Sequence, residues 1–274
     1  MSSTGNAYET IAKPETPVTL VVSFLTGTRA KAFASLAGGL LLWEIVGRLT
    51  SPVIFVPFSV VALAFWNLTV SGELIHHTAV SFTELILGFV IGSMIGIVGG
   101  TLAAFSKNFR VATDVWISIA YSTPYVAFVP LFIVWFGIDM ASKIALVIFS
   151  VFIPVWLNTY TGIISVDAQL VEVAQAFGAT RSQVLRWIVL PWAFPSLIVG
   201  FRLAFSRGFI AVVVGELVGS TAGLGYLIDI AGNSFQTDKL LAGVAVLAII
   251  TVIFVEILKL AQRRLFPWWE IKGE

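Results

Sequence analysis

The chain has 274 residues, of which 58% are hydrophobic and only 11% charged, and its mean hydropathy is +0.97. Soluble domains carry about a quarter of charged residues, so this composition excludes one and places the chain in a membrane. A formal net charge of +1 gives no electrostatic case for a nucleic-acid partner, and the lack of cysteine excludes a disulfide framework, a thiolate nucleophile and a cysteine metal site.

Residues 1–30 read as a polar tail. Pro14, Pro17 and the surrounding Ser, Thr and Glu residues argue against a packed element before about Ala30. No charged start followed by an apolar run and a small-residue cleavage site marks a signal peptide. A hydrocarbon core of about 30 Å needs roughly 20 mainly apolar residues per helix. Six stretches meet this requirement, approximately 32–50, 78–105, 112–136, 141–165, 193–218 and 240–262. They are continuous and longer than the alternating segments of about ten residues expected of a membrane barrel, so the expected fold is all-α and polytopic.

Within the first span Glu44 and Arg48 are four apart and placed to pair on one helix face. His76 and His77 stand at the boundary of the second span and are too few for a metal site by themselves. Gly88, Gly92, Gly96, Gly99 and Gly100 form a ridge of small residues, which serves either close packing inside one subunit or a dimer seam. Pro124, Pro130, Pro154 and Pro195 fall within spans or at their edges. There they bend helices, in places where protein or a water-filled cavity supplies the missing hydrogen-bond partners.

Arg202 and Arg207 lie inside the fifth span, where an arginine near the helix centre costs about 2.5–3.5 kcal/mol. Snorkelling, a carboxylate on a neighbouring helix or an anion path each answers that cost. Glu216 ends the same span, just before GSTAGLGYL, where Gly223 and Gly225 suggest a tight turn. No Lys-Ser/Thr follows, so the turn is not read as a phosphate loop. Thr123, Tyr125, Asn158 and Glu216 are polar or amphipathic groups within or bordering spans. They are candidates for lining a translocation pathway, with helix-to-helix hydrogen bonding as the alternative. Trp66, Trp268 and Trp269 read as interface anchors.

An even number of spans puts both termini on one side. Lys13, Arg29, Lys31, Lys107, Arg110, Arg181, Arg186, Lys259, Arg263, Arg264 and Lys272 fall on that side; Arg48, Lys143 and Lys239 fall opposite. By the positive-inside rule both termini, and the segment between the fourth and fifth spans, are expected in the cytoplasm.

That segment holds EVAQAFGATRSQVLRWIVLP, from Glu172 to Pro191. The spacing predicts a first short helix with Leu170, Ala174 and Phe177 on one face. Gly178 is expected to close it in the left-handed conformation, and Thr180 with Gln183 matches a capping box that opens a second helix. Val184, Trp187 and Ile188 give the second helix an apolar side. Pro191 is expected to stop it near Leu190, with a new direction from Trp192. An amphipathic linker resting on lipid headgroups fits the same periodicity. No GxxxxGK[ST] pattern and no Ser/His/Asp or paired-carboxylate arrangement occurs, so the chain is not expected to be an enzyme, to hydrolyse ATP by itself, or to hold a cofactor or metal.

Glu172, Ala174, Gly178, Ile188, Leu190 and Pro191 stand at the spacing of the EAA motif, E-A-A-x3-G-x9-I-x-L-P; Val173 replaces alanine at its second position. The chain thereby resembles the membrane subunits of bacterial ABC importers that depend on a binding protein. VPLFIVWFGIDMASKIAL at 129–146, FIPVWLNTYTGI at 152–163 and GELVGSTAGLGYLI at 215–228 resemble the nitrate, sulfonate and taurine branch of that family. The resemblance covers about residues 75–262.

The resemblance implies a MetI-like transmembrane domain over residues 31–266, with a coupling segment at 166–191 and a cytoplasmic tail at 267–274. It implies a bacterial inner-membrane location, a second permease copy, two cytoplasmic ATPase subunits that bind ATP and Mg, and an external substrate-binding protein. Glu172, Ala174, Phe177, Gly178, Ala179, Thr180 and Arg181 are then the residues that meet the ATPase, and the helix pair transmits its movement through the Pro191 to Pro195 elbow. Substrates of relatives include nitrate, bicarbonate, taurine, sulfonates and aromatic acids. An ion-coupled secondary transporter and a non-transporting membrane scaffold are the alternatives, though few ionisable residues lie in the spans and no inverted repeat is evident.

Overall fold

A computed structural model describes residues 28–265; the expected tails, and with them Trp268 and Trp269, lie outside the described residues. All regular structure among the described residues is helical. Among the described residues five helices are long and apolar enough to cross a membrane, or six where a bent helix pair is counted as one broken span. The chain divides after Ser59 into two units.

In the first unit, helix α1 (Thr28–Leu49) is followed by a turn at Pro52 and a chain that folds back on Trp43. The Trp43 indole stacks on Phe55, meets Phe58 edge-on, and donates to the Val56 carbonyl at 3.0 Å. Glu44 pairs with Arg48 at 2.6 Å, as the four-residue spacing suggests. The same carboxylate accepts from the backbone N–H and the hydroxyl of Ser59, each at 3.0 Å. It therefore satisfies orphan donors at the start of helix α2 (Phe58–Val70), an element the sequence reading did not place.

The second unit is organised around α3 (Glu73–Phe105), α6 (Met140–Ile164) and α9 (Leu190–Gly219), with α6 packed along both of the others. Buried positions on α3 run Leu74, His77, Ser81, Leu85, Gly88, Gly92, Gly96, Gly99 and Ala103, a stripe at helical spacing. The glycine ridge packs inside one subunit. Gly88 abuts Val147, Gly92 abuts Val151, Gly96 abuts Val155, and Gly100 faces the Trp156 carbonyl and Thr159. A Cβ on Gly96 would sit 2.7 Å from both the Phe152 carbonyl oxygen and Val155 Cβ. Backbone there cannot yield as a flexible side chain would, and overpacking of this kind costs about 1–3 kcal/mol or more. Gly96→Leu should therefore remove most of the folded chain recovered in mild detergent. Gly38→Leu, with nothing within 4 Å of its Cβ, should leave the yield unchanged, and equal yields would refute the packing role.

The expected third span, 112–136, is not one helix. It is α4 (Lys107–Ser122), a 3-10 turn (Tyr125–Phe128) and α5 (Val129–Phe136), with a 90° bend between the two arms. Pro124 forces the correction: it removes a donor and pushes Thr123 into the extended region, φ −84° and ψ 130°. Pro130 makes no break, because it lies in the first turn of α5, where its missing N–H has no partner to lose. Pro154 and Pro195 lie inside α6 and α9. Two short helices, α7 (Ala168–Ala176) and α8 (Arg181–Val184), connect α6 to α9, and α10 (Leu224–Asn233) precedes α11 (Thr237–Leu265). The sequence reading left α10 as a glycine-rich turn. The core of the second unit, Leu85, Val147, Val151, Val155, Phe205 and Val212 among others, lies where α3, α6 and α9 meet.

Candidate functional site

The segment between α6 and α9 is a built joint. Asp167 caps α7 through Gln169 N–H, and Gly178 at φ +83° closes it with paired bonds, Gly178 N–H to Gln175 O and Ala179 N–H to Ala174 O. Thr180 and Gln183 form the expected capping box in both directions.

The apolar faces divide differently from the sequence reading. Val171 and Ala174 turn inward against Ile163, Val184, Val189 and Ala193. Leu170, Val173 and Phe177 turn outward, with Phe177 89% exposed. Trp187 is also outward, 71% exposed under the Arg186 guanidinium, while Val184 is buried. The cause is a π turn over Leu185–Val189. Each π turn takes an extra residue, so the inward positions become Val184, Val189 and Ala193.

The π turn also overturns the expected stop at Pro191. The Leu190 N–H reaches back to Leu185 O, and this wider π turn, set just before Pro191, lets the helix continue through a residue that has no donor. Arg181–Gly219 is thus one continuous helical run of 39 residues. Trp192 Nε1 ties the run to Ser165 O at the end of α6, at 3.1 Å.

At the far end of α9 a second polar cluster joins four elements. Glu216, 1% exposed, accepts from Ser81 Oγ and from Gly225 N–H, each at 2.6 Å. Ser81 Oγ in turn accepts from Leu224 N–H at 2.7 Å, and His77 Nδ1 accepts from Gly223 N–H at 3.1 Å. The first N–H groups of α10 are therefore satisfied by α3 and α9 side chains. Gly223 is required at φ +114°, where any Cβ would meet the Glu216 carboxylate. Lys143 of α6, 5% exposed, donates to Ser220 Oγ at 2.9 Å and lies 3.7 Å from Glu84 Oε1. Glu84 Oε2 is buried without a donor. A cavity of about 360 Å³ opens beside Glu84, Asp139, Lys143 and Thr221.

Of the four candidate pathway residues, the structure places Glu216 in this buried bracket. Asn158 sits where α6 crosses α9 at Gly200, its Nδ2 donating to Pro154 O at 2.8 Å. Thr123 and Tyr125 lie together at the bend between α4 and α5, Thr123 donating to Ile119 O. Of the two arginines, Arg207 rests over the Tyr121 ring at 5.0 Å, and the buried Nε of Arg202 has no hydrogen-bond partner. Neither pairs with a carboxylate among the described residues. His76 and His77 meet edge-on in the first turns of α3, and no group of three or more metal-ligating side chains occurs among the described residues. Sequence reasoning passed over Ser81, Glu84 and Tyr121 and counted Lys143 only as a charge opposite the termini, although a lysine and a glutamate within apolar spans were a usable signal.

Apolar helices long enough to cross a membrane, joined by a capped helix pair that exposes an apolar row, define a polytopic membrane protein with a surface of the kind that meets another molecule. The sequence pattern of binding-protein-dependent transport system inner membrane components matches residues 92–271, and the chain belongs to that family, as an ABC importer permease subunit of the MetI-like type. It is 37% identical over 193 residues to the taurine transport system permease protein TauC of Escherichia coli (strain K12), covering 70% of each chain. It is 36% identical over 230 residues to SsuC of Bacillus subtilis (strain 168), a permease protein named for aliphatic sulfonates transport, covering 83% of each. A crystal structure of an amino acid ABC transporter shares the fold, with a TM-score of 0.59 at 20% identity over 73% of this chain and 98% of that one.

Proposed function

We propose that the chain forms the membrane pathway of an ATP-driven importer for small organic sulfonates, taurine and alkanesulfonates foremost. The similarity to two permeases named for sulfonate-class substrates supports that class. The domain organisation proposed is a cytoplasmic tail over 1–30, the permease domain over 31–266 and a second cytoplasmic tail over 267–274. A second copy of the chain completes the pathway. Two ATPase subunits, which bind ATP and Mg, sit below it, and a substrate-binding protein delivers the sulfonate from outside.

The observation that carries this reading is the outward row Leu170, Val173 and Phe177 on a capped, otherwise polar helix. Lipid headgroups would not require two caps and a left-handed glycine; a groove in a partner protein would. Glu172, Phe177, Gly178, Thr180 and Arg181 are proposed to seat in the ATPase, with Ala174 and Ala179, which turn inward, bracing the segment from behind; the charge bias supports a cytoplasmic place for it. Nucleotide binding closes the ATPase pair, and that closure drives the permease between outward- and inward-open states. Thr123 and Tyr125 are proposed to border the pathway.

Reconstitution tests this directly. Proteoliposomes holding the permease and its ATPase, supplied with loaded binding protein, should accumulate labelled taurine only with ATP inside the compartment that holds the ATPase. Uptake driven by an ion gradient without ATPase would overturn the proposal.

A further inference from the structure

The Arg207 guanidinium has no ion partner among the described residues, yet it lies about midway along a membrane-spanning helix. It faces the break in the third span. Tyr121, 50% exposed, presents its ring 5.0 Å from Arg207 Cζ, and Tyr125 opens the 3-10 turn on the other side of the bend. Thr123 lies between the two tyrosines, at the bend itself. Arg207 is only partly exposed, so it is neither free in solvent nor sealed in the core.

Three physical points converge here. A break in a helix at membrane depth is tolerated where protein or a water-filled cavity surrounds it. An intramembrane cation persists where it faces such a cavity or a counter-charge. A guanidinium resting on an aromatic face keeps its N–H edges free, and those edges match the paired oxygens of a carboxylate or sulfonate. Among the described residues the fully buried carboxylates of the α3, α6 and α9 core are Glu84 and Glu216, both held in the bracket with Lys143, and neither pairs with Arg207.

The geometry points to Arg207, with Tyr121, Thr123 and Tyr125, as an anion-binding station in the pathway that takes the sulfonate or carboxylate head of the substrate. Arg207 holds the anionic head through its N–H edges, the tyrosine hydroxyls supply further donors, and the tyrosine rings pack the alkyl portion, while the Thr123 hydroxyl stays bonded to Ile119 O. The inference rests on the importer reading above and deepens it by assigning a site for the charged group.

The chain contains no cysteine, which gives a test that does not depend on knowing the substrate. Thr123→Cys is placed in the complete transporter in proteoliposomes and exposed to two small thiol reagents of opposite charge. These are sulfonatoethyl methanethiosulfonate, itself an alkanesulfonate, and its trimethylammonium counterpart; either forms a mixed disulfide with the thiolate and releases methanesulfinate. Mass spectrometry of the permease reads the rates. After correction for intrinsic reactivity, the sulfonate reagent should react at least about fivefold faster, and taurine should slow it. Adding Arg207→Gln should abolish the preference, and Arg207→Lys should retain part of it.

Absence of modification, or equal corrected rates with and without Arg207, overturns the station. A charge preference that depends on Arg207, together with no ATP-driven uptake of taurine or alkanesulfonates by the unmodified transporter, upholds the anion station and overturns the importer reading instead.

Discussion

Lys143→Met should be among the most damaging substitutions in the chain, costing about 3 kcal/mol or more of stability. Breaking a buried ion pair by removing one partner leaves the other charge uncompensated in a poor dielectric, and such losses run to about 3–5 kcal/mol. Lys143 is the ammonium that faces both Glu84 and the Ser220 hydroxyl, and Glu216 lies close enough for its charge to act on Glu84. Methionine fills similar volume, so the loss reads charge and hydrogen bonding rather than a cavity. Thermal unfolding of the detergent-purified chain measures it. The double variant Lys143→Met with Glu84→Leu should regain a large part of the loss, because a buried pair replaced by apolar groups is often close to neutral. Additive losses in the double variant, or a single variant as stable as the parent, would show that the two side chains do not act together.

The second large effect is functional, with the fold intact. A Cβ at Gly178 meets nothing within 4 Å, so a side chain there has room within this chain. The intramolecular cost is the left-handed backbone, about 1–2 kcal/mol for most residues and less for asparagine. Gly178→Asn should therefore fold and insert normally, yet lower ATP-driven uptake at least tenfold, because on the proposed coupling role the new side chain takes space that the ATPase would fill. Phe177→Ser should separate the two roles further. Removing a ring that is 89% exposed leaves the isolated chain as stable as before, while the ATPase no longer co-purifies. Full co-purification and uptake by both variants would assign the segment to the lipid surface after all.

Much of this joint was legible in the sequence because its signals are local. The Gly178 closure and the Thr180 to Gln183 capping box need only residues three or four apart, and both are present as read. The stop at Pro191 was read wrongly for an equally local reason. Proline excludes a donor, but a wider π turn set just before it lets the helix continue, and nothing in the spacing of LRWIVLP announces that turn. The six apolar runs were legible by length; the right angle within the third was not, since Pro124 signals a bend without its size. Ser81 and Glu216 are 135 residues apart, and only tertiary packing brings their side chains within 2.6 Å. The short helices α2 and α10 fell below the length at which apolar runs speak clearly.

The unbroken run from Arg181 to Gly219 sets how a push travels. At about 1.5 Å per residue its 39 residues form a rod of about 58 Å. Trp192 bears on the end of α6 near one tip, and the Glu216 bracket grips the other. Between those two points α9 lies against α6 through Ala193, Gly200, Gly208 and Gly215, so the run is held along its length and moves together with α6. On the proposed coupling role, a displacement received beside Thr180 reaches the Glu216 bracket through that packed pair, with no break in the helix to absorb it.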